Sequence, residues 1–75
     1  MMSPESRKIV LEAARAAGDH LKGKLPQIDG HPDRNSYAHV FERVKHHMGM
    51  SYKDCSDEDL QKILDLIEFY RNNPG

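Results

Sequence analysis

Apolar residues gather in three clusters, separated by stretches rich in polar, glycine and proline residues. Within each cluster they recur at three- and four-residue spacing, the period of an amphipathic helix. In the first, Val10, Ala14, Ala17 and Leu21 form one stripe with Ile9 and Ala13 beside it. Ser3 suits an N-cap, Pro4 the first helical position and Glu5 the positive end of the helix dipole. The pattern predicts a helix from Pro4 to about Lys22 within a segment covering 3–23, with Gly23 as its stop. Alanines bury little area, and Gly18 lowers helix stability by roughly 1 kcal/mol relative to alanine. This helix is therefore expected to be the least stable of the three.

The second cluster is Tyr37, Val40, Phe41, Val44 and Met48, one clean face at i, i+3, i+4, i+7 and i+11. It predicts a helix over 36–48, capped by Asn35 or Asp33 and stopped by Gly49, with Met50 placed for the apolar contact of a Schellman ending. The third is Leu60, Ile63, Leu64, Ile67 and Tyr70, widened by Leu66 and Phe69. Its helix is expected over 56–72. Ser56 and Asp59 approximate a capping box, Asp57, Glu58 and Asp59 complement the dipole, and Cys55 and Leu60 occupy the positions of a hydrophobic staple. Residues 72–75 should fray. Between the first two helices, 24–35 read as a connector broken by Pro26, Gly30 and Pro32, with Leu25 and Ile28 able to dock.

These elements predict an all-α single domain over 1–75. Helices 2 and 3, joined by a short connection, form an antiparallel hairpin with helix 1 packed across them. Tyr37, Phe41, Val44, Leu60, Ile63 and Ile67 should meet in a dry seam. Helix 3 is apolar over more than the 100° or so that one neighbour covers. Either helix 1 or a second copy must cover the rest. An alternative leaves residues 1–30 as a loosely attached arm.

Length and charge narrow the function. A 75-residue chain lies near the lower limit for an independent core, where dimerisation is a common remedy. Net charge is −1, but residues 1–53 hold nine Lys/Arg against six Asp/Glu, +3, and residues 54–75 hold two against six, −4. Such asymmetry favours attraction to a charged partner. A single cysteine, Cys55, forms no internal disulfide and fits a reducing cytoplasm. The apolar run from Ile9 to Ala17 is interrupted by Glu12 and Arg15, unlike a signal peptide or a membrane span.

Residues 34–70 carry a resemblance. Tyr37-Ala38-x-Val40-Phe41-x-x-Val44-Lys45 is followed by Met48-Gly49-x-Ser51-Tyr52-Lys53-Asp54 and then by the apolar helix Leu60 to Tyr70. Together they resemble the small carboxy-terminal helical domain of phage antirepressor-type regulatory proteins, over about half the chain. The hydrophobic–Gly–x–Ser–Tyr–Lys turn is the most specific part. The resemblance implies a phage or prophage origin and a regulatory binding role, and it carries over no catalytic residue. In that family a larger amino-terminal domain comes first, whereas here one helix and a connector do.

No catalytic or cofactor motif stands out. His39, His46 and His47 lack the i, i+4 spacing of a helical metal pair, and His20 and His31 are isolated. Cys55 precedes a helix N-terminus, but the three acids that follow oppose a thiolate, and a staple role accounts for its place better. The acidic cluster reads as solvated dipole complement rather than an acid–base pair. The chain is expected to be non-enzymatic, without metal or cofactor, and to bind a protein partner, itself included as a homodimer. The expected contacts are Leu66, Phe69 and Tyr70, with Asp57, Glu58 and Asp59 steering a basic partner. The alternative is nucleic-acid binding by an outer face of helix 2. That face would hold His39, Arg43 and His46, flanked by Lys45, with Arg34 and Lys53 near the ends; Arg43, Lys45, His46 and Lys53 are its main candidates.

Overall fold

The computed structural model describes residues 1–23 and 35–73. The described residues form three α-helices and no strand: α1 (Pro4–Leu21), α2 (Ser36–Met48) and α3 (Leu60–Asn72). Two 3₁₀ turns, Tyr52–Asp54 and Asp57–Asp59, join α2 to α3. The expected connector, including Leu25, Ile28, His31, Asp33 and Arg34, lies outside the described residues apart from Asn35, as does the frayed end at 74–75.

The boundaries follow local chemistry. The Ser6 amide donates to Ser3 Oγ at 3.2 Å, satisfying one of the open N–H groups at the start of α1. Asn35 Oδ1 accepts from the Tyr37 and Ala38 amides at 3.0 and 3.1 Å, so Asn35 is the cap of α2. Gly49 ends α2 with φ 78°, a conformation costly for any residue with a β-carbon, and its amide donates to the Lys45 carbonyl at 2.9 Å. Met50, offered as the Schellman contact, stays exposed instead. The third helix starts differently from expectation. Asp59 Oδ2 accepts from the Ser56 amide at 3.3 Å and from its hydroxyl at 3.4 Å, but the turn it closes is 3₁₀, and α-helix begins only at Leu60. Ser56, Asp57 and Asp59 have short side chains that bond to nearby backbone and favour caps and tight turns over helix interior.

The core is built around α1. Val10, Ala14, Ala17 and Leu21 are almost wholly buried and meet Val40 and Val44 of α2, Ile63 and Ile67 of α3, and Tyr52 and Cys55 of the connection. Residues 1–23 are thus no loose arm, since α1 packs on both other helices. The small residues that made α1 look weak let two helices approach it closely. Contacts fix its direction. Gly18 lies against Tyr37 at the start of α2, while the Met2 amide donates to the Lys53 carbonyl at 3.3 Å and the Ser3 amide to Asp57 Oδ1 at 2.8 Å. So α1 runs antiparallel to α2 and begins at the same end as α3, the order an antiparallel α2–α3 pair requires. Met2, at 1% exposure, is a core residue the periodicity did not indicate.

The expected seam is partly met. Val44, Ile63 and Ile67 are buried, while Tyr37, Phe41 and Leu60 are half-buried at its margins. The buried face of α2 is centred on Val40, with Ser36, Val44 and His39. His39, at 6% exposure, is therefore not on the outer face, and Arg43 is half-buried. Ranking positions by apolarity centred the face on the two aromatic rings. Large rings instead reach the core from its edge, where a polar tip or ring edge still meets water.

Candidate interaction groove between the first two helices

Crossing at a distance set by small residues, α1 and α2 leave a groove along their open side. Leu11 of α1, Phe41 of α2 and Tyr52 of the first 3₁₀ turn line its middle, a hollow of about 360 Å³. The Phe41 and Tyr52 rings stack, with centroids 5.6 Å apart and planes 24° from parallel. Such a pair contributes roughly 0.5–1.5 kcal/mol beyond its buried area. Tyr52 is held there by Ser51, whose Oγ accepts from the Lys53 amide at 3.4 Å and whose carbonyl accepts from the Asp54 amide at 2.9 Å. The Gly–x–Ser–Tyr–Lys turn thus has a physical content. Gly49 stops α2, Ser51 caps the 3₁₀ turn, Tyr52 anchors it, and Lys53 stands outward.

The groove continues in both directions from Leu11. Toward the end of α1 it is bordered by Arg15, Asp19 and Tyr37. The Tyr37 hydroxyl donates to Asp19 Oδ1. That bond holds the phenolic proton and raises the Tyr37 pKa above its ordinary value, burial and the Asp19 charge adding to it and Arg15 opposing it. Toward the start of α1 the groove runs between Pro4, Arg7 and Lys8 on one side and Lys53 on the other. Glu42 and Lys45 border the middle. The rim therefore carries five cations against two carboxylates.

The expected nucleic-acid residues divide. Lys45 and Lys53 converge on this groove. His46 lies on an adjoining depression with Glu42, Lys45 and Gly49. Arg43 does not line these hollows and is half-buried. The single basic outer face expected of α2 therefore does not form. Arg7, Lys8 and Arg15 belong to the groove instead, and the pattern did not single them out. The signal available was their position on the polar side of α1 next to Leu11, an apolar residue off the main stripe.

The expected protein contacts divide as well. Phe69 is 55% exposed, with Tyr70 edge-on to it at 5.3 Å between centroids. Leu66 is half-buried and packs on the core, and Tyr70 is half-buried. In this single chain α1 covers the core-facing side of α3, leaving Phe69 as its large exposed apolar residue. Asp57 and Asp59 are engaged within the fold, one with the Ser3 amide and the other with Ser56, while Glu58 is exposed beside them. Asp57 is held below the ordinary carboxylate value, first by the Ser3 backbone donor and then by the Ser6 side chain.

Cys55 is 2% exposed and its Sγ lies 3.6 Å from the Ser51 carbonyl. Burial pushes the thiol up, and Asp59 and Asp54 push it further, the opposite of an activated nucleophile. Cys55 belongs to the core cluster and the half-buried Leu60 packs against it, in keeping with the staple positions. Among the described residues no three His, Cys, Asp or Glu side chains gather where they would hold a metal ion. No described helix is long and apolar enough to cross a membrane. No family model, curated protein or solved structure matches the chain.

Proposed function

We propose that this chain is a non-enzymatic regulatory module that works by binding other proteins, with the α1–α2 groove as its contact surface. The observation that carries this reading is the half-exposed apolar floor of Leu11 and Phe41, backed by the buried Tyr52 and bordered by charge. An apolar patch rimmed by polar groups is the usual form of a protein-binding site. The sequence likeness to phage antirepressor-type helical domains supports a regulatory role in the cytoplasm of a phage-bearing cell.

Self-association through Leu66, Phe69 and Tyr70 is a second contact of the same kind, favoured by the exposed Phe69 ring. Sedimentation should show a dimer that Phe69→Asp dissociates, and a strict monomer at high concentration removes this contact. The protein-binding reading itself is tested by capture from a host lysate treated with nuclease, comparing the wild-type chain with Leu11→Asp. Partners should survive nuclease and be lost with the folded variant. Recovery that nuclease abolishes, or that Leu11→Asp leaves intact, refutes the reading and favours nucleic acid or another surface.

A further inference from the structure

We infer that the α1–α2 groove takes an acidic segment of a partner protein, one that presents a large apolar side chain to Leu11 and Phe41 while its carboxylates meet Lys45 and Lys53. The inference rests on the protein-binding reading and specifies the partner's chemistry.

Charge complementarity carries it. Lys45 and Lys53 border the same hollow, and Arg7 and Lys8 extend the positive edge along α1. Two carboxylates at the rim, Asp19 and Glu42, oppose the five cations, and the balance is three positive charges. The surrounding field therefore favours an anionic occupant and speeds its encounter.

The floor decides between two anionic classes. A single-stranded nucleic acid held in a basic groove gains affinity by stacking its bases on exposed aromatic faces. Here Phe41 and Tyr52 stack on each other, and Tyr52 is buried, so its ring faces are spent inside the protein. What remains open is Leu11 and the outer side of Phe41, a surface suited to an aliphatic or phenyl side chain. From Pro4 to Asp19 the groove follows α1 for about 22 Å at the helical rise. An extended segment of about seven residues spans that length.

The experiment uses the whole chain, isotope-labelled, titrated with amidated peptides of about eight residues. One peptide is Glu-rich with a single central Phe, the second has Lys in place of each Glu, and the third keeps Glu but has Gly in place of Phe. A single-stranded oligonucleotide is the fourth probe. The account expects amide shift changes centred on residues 8–15, 41–45 and 51–53 with the first peptide only. Binding should weaken on the order of tenfold in Lys45→Glu/Lys53→Glu, whose side chains are exposed and leave the fold intact, and should weaken as salt rises. Absence of shifts at millimolar peptide, equal binding of the Lys peptide, or no effect of the double charge reversal overturns the inference. If the acidic peptide fails while nuclease-resistant capture still depends on Leu11, the partner chemistry is wrong and the protein-binding reading stands. If the oligonucleotide alone binds, both are wrong.

Discussion

A β-carbon added to Gly18 would lie 2.9 Å from Cε1 and 3.0 Å from Cγ of Tyr37, and closer still to Cδ1, so α1 passes the aromatic ring of α2 at a distance that only glycine permits. Gly18→Ala therefore sets two effects against each other. Helix propensity favours alanine by about 1 kcal/mol. Overpacking against a ring held by the Asp19 bond costs about 1–3 kcal/mol. The expected outcome in urea unfolding is net destabilisation. In the Tyr37→Ala background the ring is gone, and the same Gly18→Ala change should become stabilising. A double-mutant cycle reads the difference directly.

The clamp between Asp57 and the Ser3 amide predicts a pH effect with a definite sign. The folded state lowers the Asp57 pKa, mainly through the Ser3 donor. The stabilisation it provides is complete above the ordinary carboxylate value and is lost as pH falls through the lowered one. Protection of the Ser3 amide, its exchange rate compared with the intrinsic rate at the same pH, should therefore fall in acid. Asp57→Asn keeps an acceptor without the charge and should remove the pH dependence of that protection, whereas Asp57→Ala should lower the protection at every pH.

Cys55 should behave as a core residue. In the native protein a thiol reagent should label it on the order of tenfold or more slowly than in denaturant, because both burial and neighbouring carboxylates oppose the thiolate. Labelling at the rate of an exposed thiol would show that the turn over Tyr52–Cys55 is not packed as described.

Ile63 and Phe69 separate core from surface on one helix. Ile63→Ala removes a fully buried side chain and should cost about 2–5 kcal/mol. Phe69→Asp alters a side chain mostly in water and should change monomer stability by about 0.5 kcal/mol or less. Thermal unfolding of the two variants checks both.

Much of the fold was legible because periodicity and caps are local. Asn35, Ser36, Met48 and Gly49 bound α2 where its pattern begins and ends, and Ser3 caps α1 as its chemistry suggests. What depended on rotation about a helix axis was less legible. His39 is buried and Phe41 sits at a margin because of how α2 is rotated against α1, where Gly18 meets Tyr37, and no pattern within α2 alone encodes that neighbour. Met2 enters the core through a backbone bond to Lys53, a contact over fifty residues along the chain that has no sequence signature. The groove was missed for the same reason. Its cations come from α1 and from the turn after α2, and only the antiparallel crossing brings them together.

Every surface described depends on α1 docking on its own chain. Isotope-filtered NOE spectra of a mixed labelled and unlabelled sample decide this, read between Gly18 Hα and the Tyr37 ring and between Ala14 and Val40. The account predicts these NOEs within one chain, at the same intensity at low and high concentration. NOEs found only between differently labelled chains, or none at all, would contradict it and remove the groove with it.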